Sequence, residues 1–168
     1  MASFYQTGSL IGVDLNNQST TALFAPGTHV NGGDDTEWVF VHAATSISAN
    51  SFVAMLTGSF TAGMASGADV LAGALLGVSQ TSISAQAYGW VAIRGIGLTV
   101  WCNSSATAPT TIGVFLATQS SRTGVITVHG SGSGTLAGVN ITEAASSSST
   151  GGLVTINLTW PRTVTQFG

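Results

Sequence analysis

Leu153-Val154-Thr155-Ile156-Asn157-Leu158-Thr159-Trp160 alternates without a slip. Val154, Ile156, Leu158 and Trp160 fall on one face of an extended chain, with Thr155, Asn157 and Thr159 on the other. Successive side chains of a strand point to opposite sides, so this period of two marks a half-buried strand. Working outward, Glu37-Trp38-Val39-Phe40-Val41-His42 and Gly89-Trp90-Val91-Ala92-Ile93-Arg94 are rich in aromatic and β-branched residues, and residues 110–118 and 124–129 read the same way. Glycine-rich breaks separate these runs, notably Asn31-Gly32-Gly33-Asp34-Asp35 and Gly130-Ser131-Gly132-Ser133-Gly134. Short strands punctuated this often give an all-β fold: an antiparallel β-sandwich or a jelly-roll-like barrel.

Residues 52–78 are apolar for long enough to raise a membrane span. Asp69 lies inside the stretch, however, and its many glycines interrupt the hydrophobic density. A short helix over residues 67–76 competes with strands and a turn. Strands are the reading adopted, because each glycine costs a helix about 1 kcal/mol relative to alanine. Residues 1–36 lack sustained periodicity and are expected to be an extended N-terminal arm or irregular region, ordered by a neighbouring subunit. Residues 37–168 then form a single β-sandwich domain. Residues 144–152 are a low-complexity loop. No internal repeat stands out, since Thr-Gly-Ser-Leu at 7–10 and Thr-Gly-Ser-Phe at 57–60 are too short to count.

Composition narrows the function. Among 168 residues, charged side chains make up 5%, about a fifth of the share in ordinary soluble domains. The bases are Arg94, Arg122 and Arg162, with no lysine, and polarity comes from 21 Ser and 23 Thr. Mean hydropathy is +0.43. Hydroxyl groups keep a surface wet but do little to prevent association, so part of this surface is expected to be covered by neighbours. Three scattered arginines at a net charge of −3 cannot neutralise a phosphate backbone. Nucleic acid and an anionic membrane are therefore not expected partners. The opening Met-Ala-Ser-Phe-Tyr-Gln has neither a basic nor a long apolar region, so synthesis and folding in a cytoplasm is the expectation.

Catalytic and metal patterns are thin. Asp34, Asp35 and Glu37 form the one acidic cluster and are a weak calcium candidate, since loop carboxylates are hard oxygen ligands; the alternating ligand spacing of a calcium loop is missing, and a solvated turn fits better. His29, His42 and His129 show no paired spacing. There is no Gly-x-Ser-x-Gly nucleophile elbow, no lysine for a Schiff base or an isopeptide crosslink, and no helix after the glycines at 132–134. The lone Cys102, in an apolar run, reads as a buried thiol. Trp38, Trp90, Trp101 and Trp160 are assigned to the core, because a small all-β domain packs around such rings. No catalytic residue, metal or cofactor is expected, and the chain reads as a protein that is not an enzyme.

The stretch Leu75-Leu76-Gly77-Val78-Ser79-Gln80 through Ala87-Tyr88-Gly89-Trp90-Val91-Ala92-Ile93-Arg94-Gly95 resembles the G-V-x-Q … Y-G-W-V-x-(I/V)-x-G pattern of bacteriophage structural proteins, among them capsid decoration (cement) and head structural proteins. Thr111-Ile112-Gly113-Val114-Phe115-Leu116 holds a place similar to the strand that follows there. The likeness covers about a third of the chain. It implies that Gly89 allows close backbone approach and that Trp90 fills the core. It also implies homotrimers or other clusters on the capsid exterior of a virion, bound to the major capsid protein across the joints between its subunits. It supplies no interface residues. Two alternatives stand beside it: a carbohydrate-binding β-sandwich or adhesin on the virion, using Trp and the loop 34–37, and a small shell-forming coat protein.

Overall fold

In the computed structural model, residues 13–32, 35–66, 74–102, 116–118, 124, 126–128, 135–143 and 152–164 are described. They contain ten strands and no helix: β1 (His29–Asn31), β2 (Glu37–Ala43), β3 (Ser51–Met55), β4 (Thr61–Met64), β5 (Leu75–Ser79), β6 (Tyr88–Cys102), β7 (Leu116–Thr118), β8 (Ile126–Val128), β9 (Thr135–Glu143) and β10 (Gly152–Val164). Pairing runs β2-β4-β3-β5-β6 and returns from β6 to β2, which closes a five-stranded barrel. Outer strands continue from β6 through β10, β9, β7 and β8, while β1 is added to β2. The all-β expectation holds. The architecture is a closed barrel with outer strands, where the sequence reading has a sandwich or jelly-roll-like barrel.

Closure explains why the central strands are apolar without alternating. Val39, Val41, Ala43, Val53, Met55, Ala62, Val91 and Ile93 pack together inside the barrel. The intervening Trp38, Phe40, Phe52, Ala54, Leu76, Val78, Trp90 and Ala92 belong to a second cluster, together with Leu98, Val100 and Cys102 of β6, Val139 and Ile141 of β9, and Val154, Ile156 and Leu158 of β10. A strand buried on both faces needs a continuous hydrophobic run. The lumen is narrow. A Cβ on Gly77 would sit 2.6 Å from Val91 Cγ1 and 2.7 Å from the Ala92 carbonyl oxygen, and one on Gly89 would sit 2.7 Å from Ile83 Cδ1.

Strand β6 spans fifteen residues and serves two partners. Its first half pairs with β2, from His42↔Tyr88 to Glu37↔Arg94, and its second with β10, from Thr159↔Arg94 to Gly152↔Cys102. Between Leu98 and Gly95 the strand carries one residue more than the opposing Ile156 to Leu158. Gly97, at φ 71°, lies in this bulge. A side chain there would meet no steric obstacle but would face an unfavourable backbone conformation.

An internal repeat does exist, contrary to the sequence reading. Thr-Ser-Ile-Ser-Ala occurs at 45–49 and again, thirty-six positions on, at 81–85. The two copies face each other: Ile47 N donates to Ile83 O at 2.8 Å, and Ile83 N to Ile47 O at 2.9 Å. The repeat extends into the ladders. Phe52↔Val78, Val53↔Gly77, Ala54↔Leu76 and Met55↔Leu75 in β3–β5 become Tyr88↔His42, Gly89↔Val41, Trp90↔Phe40 and Val91↔Val39 in β6–β2 when every number is advanced or set back by the same interval. Each connecting loop turns at a left-handed residue, Asn50 (φ 56°) and Gln86 (φ 62°). Ile47 and Ile83 plug the lumen where both loops lie. Strand β4, inserted between β2 and β3, breaks the symmetry.

Of the two forms expected for the N-terminal region, an extended arm or an irregular segment, the described part before β1 is irregular. Residues 13–28 cover the chain's own barrel. Ser19 exchanges backbone bonds with Tyr88, and Gly27 N donates to Phe40 O at 2.7 Å. Leu15 is buried, and the Phe24 ring stands edge-on to Phe40 at 5.4 Å and lies 5.5 Å from Trp90. The barrel's outer aromatic face needs a cover, and this segment supplies it intramolecularly. Residues 1–12 lie outside the described set, as do residues 67–73 of the disputed apolar stretch; Ser51–Met55, Thr61–Met64 and Leu75–Ser79 around them are strands, as expected. Replacing Ile83 with Ala removes a buried side chain from the plug and should lower unfolding free energy by about 2–5 kcal/mol, with Ile47→Ala in the same range; Gly77→Ala should cost about 1–3 kcal/mol by overpacking. Urea denaturation followed by circular dichroism measures all three.

Candidate functional site

The acidic loop does not assemble a cation site from the residues described. Asp35, at φ 57°, turns its carboxylate to Arg94, whose Nη2 donates to Oδ1 at 2.7 Å and to Oδ2 at 2.6 Å. Glu37 lies on β2, with its Oε1 3.2 Å from His29 Nδ1 across the β1–β2 ladder. The two carboxylates are thus committed to different bases, and Asp34 lies outside the described residues. His42 packs on the Tyr88 ring at 4.8 Å, and His129 is not among the described residues. Among the described residues, no three His, Cys, Asp or Glu side chains gather as metal ligands.

The tryptophans divide. Trp38 and Trp90 are buried in the layer outside the barrel, and Gly89 gives Ile83 the room a side chain would take. Trp160 lies in β10, and its side chain is outside the described set. Trp101 corrects the core assignment: it is 45% exposed. Beyond the bulge, β6 turns Leu98, Val100 and Cys102 inward, so strand geometry turns Trp101 outward. Directly opposite on β10 stands Leu153, 44% exposed. The pleat that buries Val154, Ile156 and Leu158 forces Leu153 to the other side.

This outward pair is rigidly held. Trp101 N donates to Asn50 O at 2.8 Å. Two residues earlier, the Gln80 side-chain amide donates to Thr99 O at 2.9 Å and accepts from Thr99 N at 3.2 Å. Thr99 Oγ1 also donates to Asn50 Oδ1 at 2.8 Å. Asn50 and Gln80 come from the two repeat-bearing loops, so the plug and this edge of β6 are one construction. On β6 and β10 the described residues nearest the pair are neutral, and Glu143 of β9 pairs with Thr155 at the next position across the sheet. Thr99 lies across from Thr155, Gly97 N donates to Asn157 Oδ1 at 3.3 Å, and Ile96 is 57% exposed beside the bulge. An apolar indole and isobutyl group framed by neutral polar side chains suits contact with protein rather than with phosphate or a metal.

Under this face Cys102 is buried, and burial pushes its thiol up to about 12 from an ordinary 9.0. The thiolate is the nucleophile in thiol chemistry, so the native chain should resist a disulfide reagent at pH 8 and react only once denatured, which absorbance of the released thiolate reports. Because folding favours the neutral thiol, its contribution to stability is complete below 9.0 and declines as pH rises toward about 12. A Cys102→Ala variant should lose part of this alkaline sensitivity in pH-dependent melting.

No protein-family model matches the chain, and no curated protein matches it.

Proposed function

We propose that the chain is a non-enzymatic bacteriophage virion protein that seats on the outside of a capsid, made in the host cytoplasm, and bridges joints between major capsid subunits. The observation that carries this reading is the Trp101–Leu153 pair, held exposed beside the neutral Thr99, Thr155 and Asn157 of β6 and β10. Aromatic anchors in a desolvated patch dominate protein–protein affinity, and neutral polar neighbours let such a patch close without stranding charge. The sequence supports it from another side: with three basic residues, a shell-lining role against a genome is poorly served. The residues of the phage-like pattern, Leu75 to Gly95, lie on β5, the second repeat loop and β6. They build the frame that carries the face rather than the face itself.

A second reading, a carbohydrate-binding virion protein, draws on the same exposed indole, since aromatic planes stack on sugar rings. Two carboxylates of the loop that this reading would use for calcium, Asp35 and Glu37, lie against Arg94 and His29.

Capsids stripped of this protein, mixed with the purified chain and sedimented, should recover it in the pellet, and Trp101→Ser should weaken recovery at least tenfold with unchanged circular dichroism. Failure of the unmodified chain to sediment with capsids, together with Trp101-dependent binding on a glycan array, would turn the assignment to the second reading. Light scattering coupled to size exclusion should give about three times the chain mass; a monomer would leave the capsid itself to cluster the copies.

A further inference from the structure

At the end of the barrel opposite the Ile47–Ile83 plug, the lumen opens into a cavity of about 230 Å³ lined by Val39, Met55, Phe60, Leu75, Ile93 and Pro161, together with His29 of β1. Val39, Met55 and Ile93 are lumen side chains, so the cavity is the unfilled mouth of the barrel and not a surface dent. Its walls stand on strands β1, β2, β3, β5, β6 and β10, with Phe60 from the turn before β4.

One wall residue is strained. Phe60 adopts φ 49°, a left-handed conformation that a bulky side chain rarely takes. Its backbone is pinned there from both sides: Phe60 N donates to Leu56 O at 3.0 Å, and its carbonyl accepts from His42 N at 3.1 Å. Gly27 completes the arrangement, since a Cβ at that position would collide with the Phe60 ring. Backbone strain persists only where the surroundings enforce it, and it concentrates at ligand clamps. Here two hydrogen bonds and an absent side chain enforce a conformation that sets an aromatic ring at the mouth of an apolar cavity.

We propose that this mouth is a binding site for a small, uncharged aromatic molecule of a single ring. Size argues for that class: an apolar cavity of about 150 Å³ stays dry and takes up benzene, whereas drug-sized ligands need about 300–1,000 Å³. The lining argues against charge, because a carboxylate or ammonium group placed among Val39, Met55 and Ile93 would lose its hydration, and the one polar side chain of the lining, His29, already lies 3.2 Å from Glu37 Oε1. Phe60 offers an edge or face to the incoming ring, and the thioether of Met55 adapts to its outline. The site lies apart from the Trp101–Leu153 face and does not depend on the capsid assignment.

The test uses the full chain labelled with ¹³C in its methionine methyl groups. Met55 lines the mouth, while Met64 packs on the same lumen cluster but does not line this cavity, its Sδ lying near Gly124 instead. Titration with toluene should shift the Met55 methyl signal saturably and leave Met64 in place, and benzoate should move neither. Leu75, half-exposed at the rim, can be enlarged without entering the core: Leu75→Trp should abolish the Met55 response while keeping the Met64 position of the native fold. Phe60→Ala should weaken toluene at least tenfold. No saturable Met55 shift up to the solubility limit of toluene, an equal shift at Met64, or retention of the response in both variants would overturn the proposal.

Discussion

Tyr88–Cys102 gives one edge of its first half to β2 and one edge of its second half to β10, and both the barrel and the outer strands depend on that division. A single regular strand could not serve both without a change of direction, because the twist that closes a barrel carries a straight strand away from any second layer. The extra residue around Gly97 supplies the change at a position where a conformation costly to other residues is open to glycine. Everything outward of it follows. Leu98, Val100 and Cys102 meet β10 and β9 in one core, and the intervening Trp101 is left outside.

The same division governs how much could be read from the sequence. Strand identity was legible wherever one face is wet: the alternation of residues 153–160 gives β10 and the inward set Val154, Ile156 and Leu158 correctly. Strand β9 carries a comparable signal, with Val139 and Ile141 buried and Gly138 and Asn140 exposed, and the sequence reading passed over it. Closure was not legible, because β2–β6 and β2–β4 pairing joins positions distant in the chain, and apolar runs buried on both faces look alike in a sandwich and a barrel.

The correction at Trp101 and the alternatives left open for the N-terminal region have physical causes. Trp101 was placed in the core for its residue type, although its position in the alternation with Val100 and Cys102 already pointed outward. The region around Phe24 was read as an arm or an irregular region because it has no periodicity. A segment that covers an aromatic cluster through Leu15, Phe24 and a few backbone bonds has no need of periodicity. The candidate contact face was half-legible: its lack of charge is a property of composition, but the pairing of Trp101 with Leu153 requires the register.

The thirty-six-residue repeat carries a danger of mistaken identity. Two segments with the same loop and the same ladder register compete for each other's partners while the chain is collapsing, and such near-degenerate pairings roughen a folding landscape. Side-chain size settles the competition. The native ladders set Val53 against Gly77 and Val41 against Gly89, one large and one small residue at each narrow level of the lumen. Exchanging partners in the shared register would put Val41 against Val53 and Gly77 against Gly89, overfilling one level and emptying the other. The glycines therefore act as an address label that distinguishes two otherwise interchangeable halves, and a chain carrying valine at both positions would lose that label together with its room.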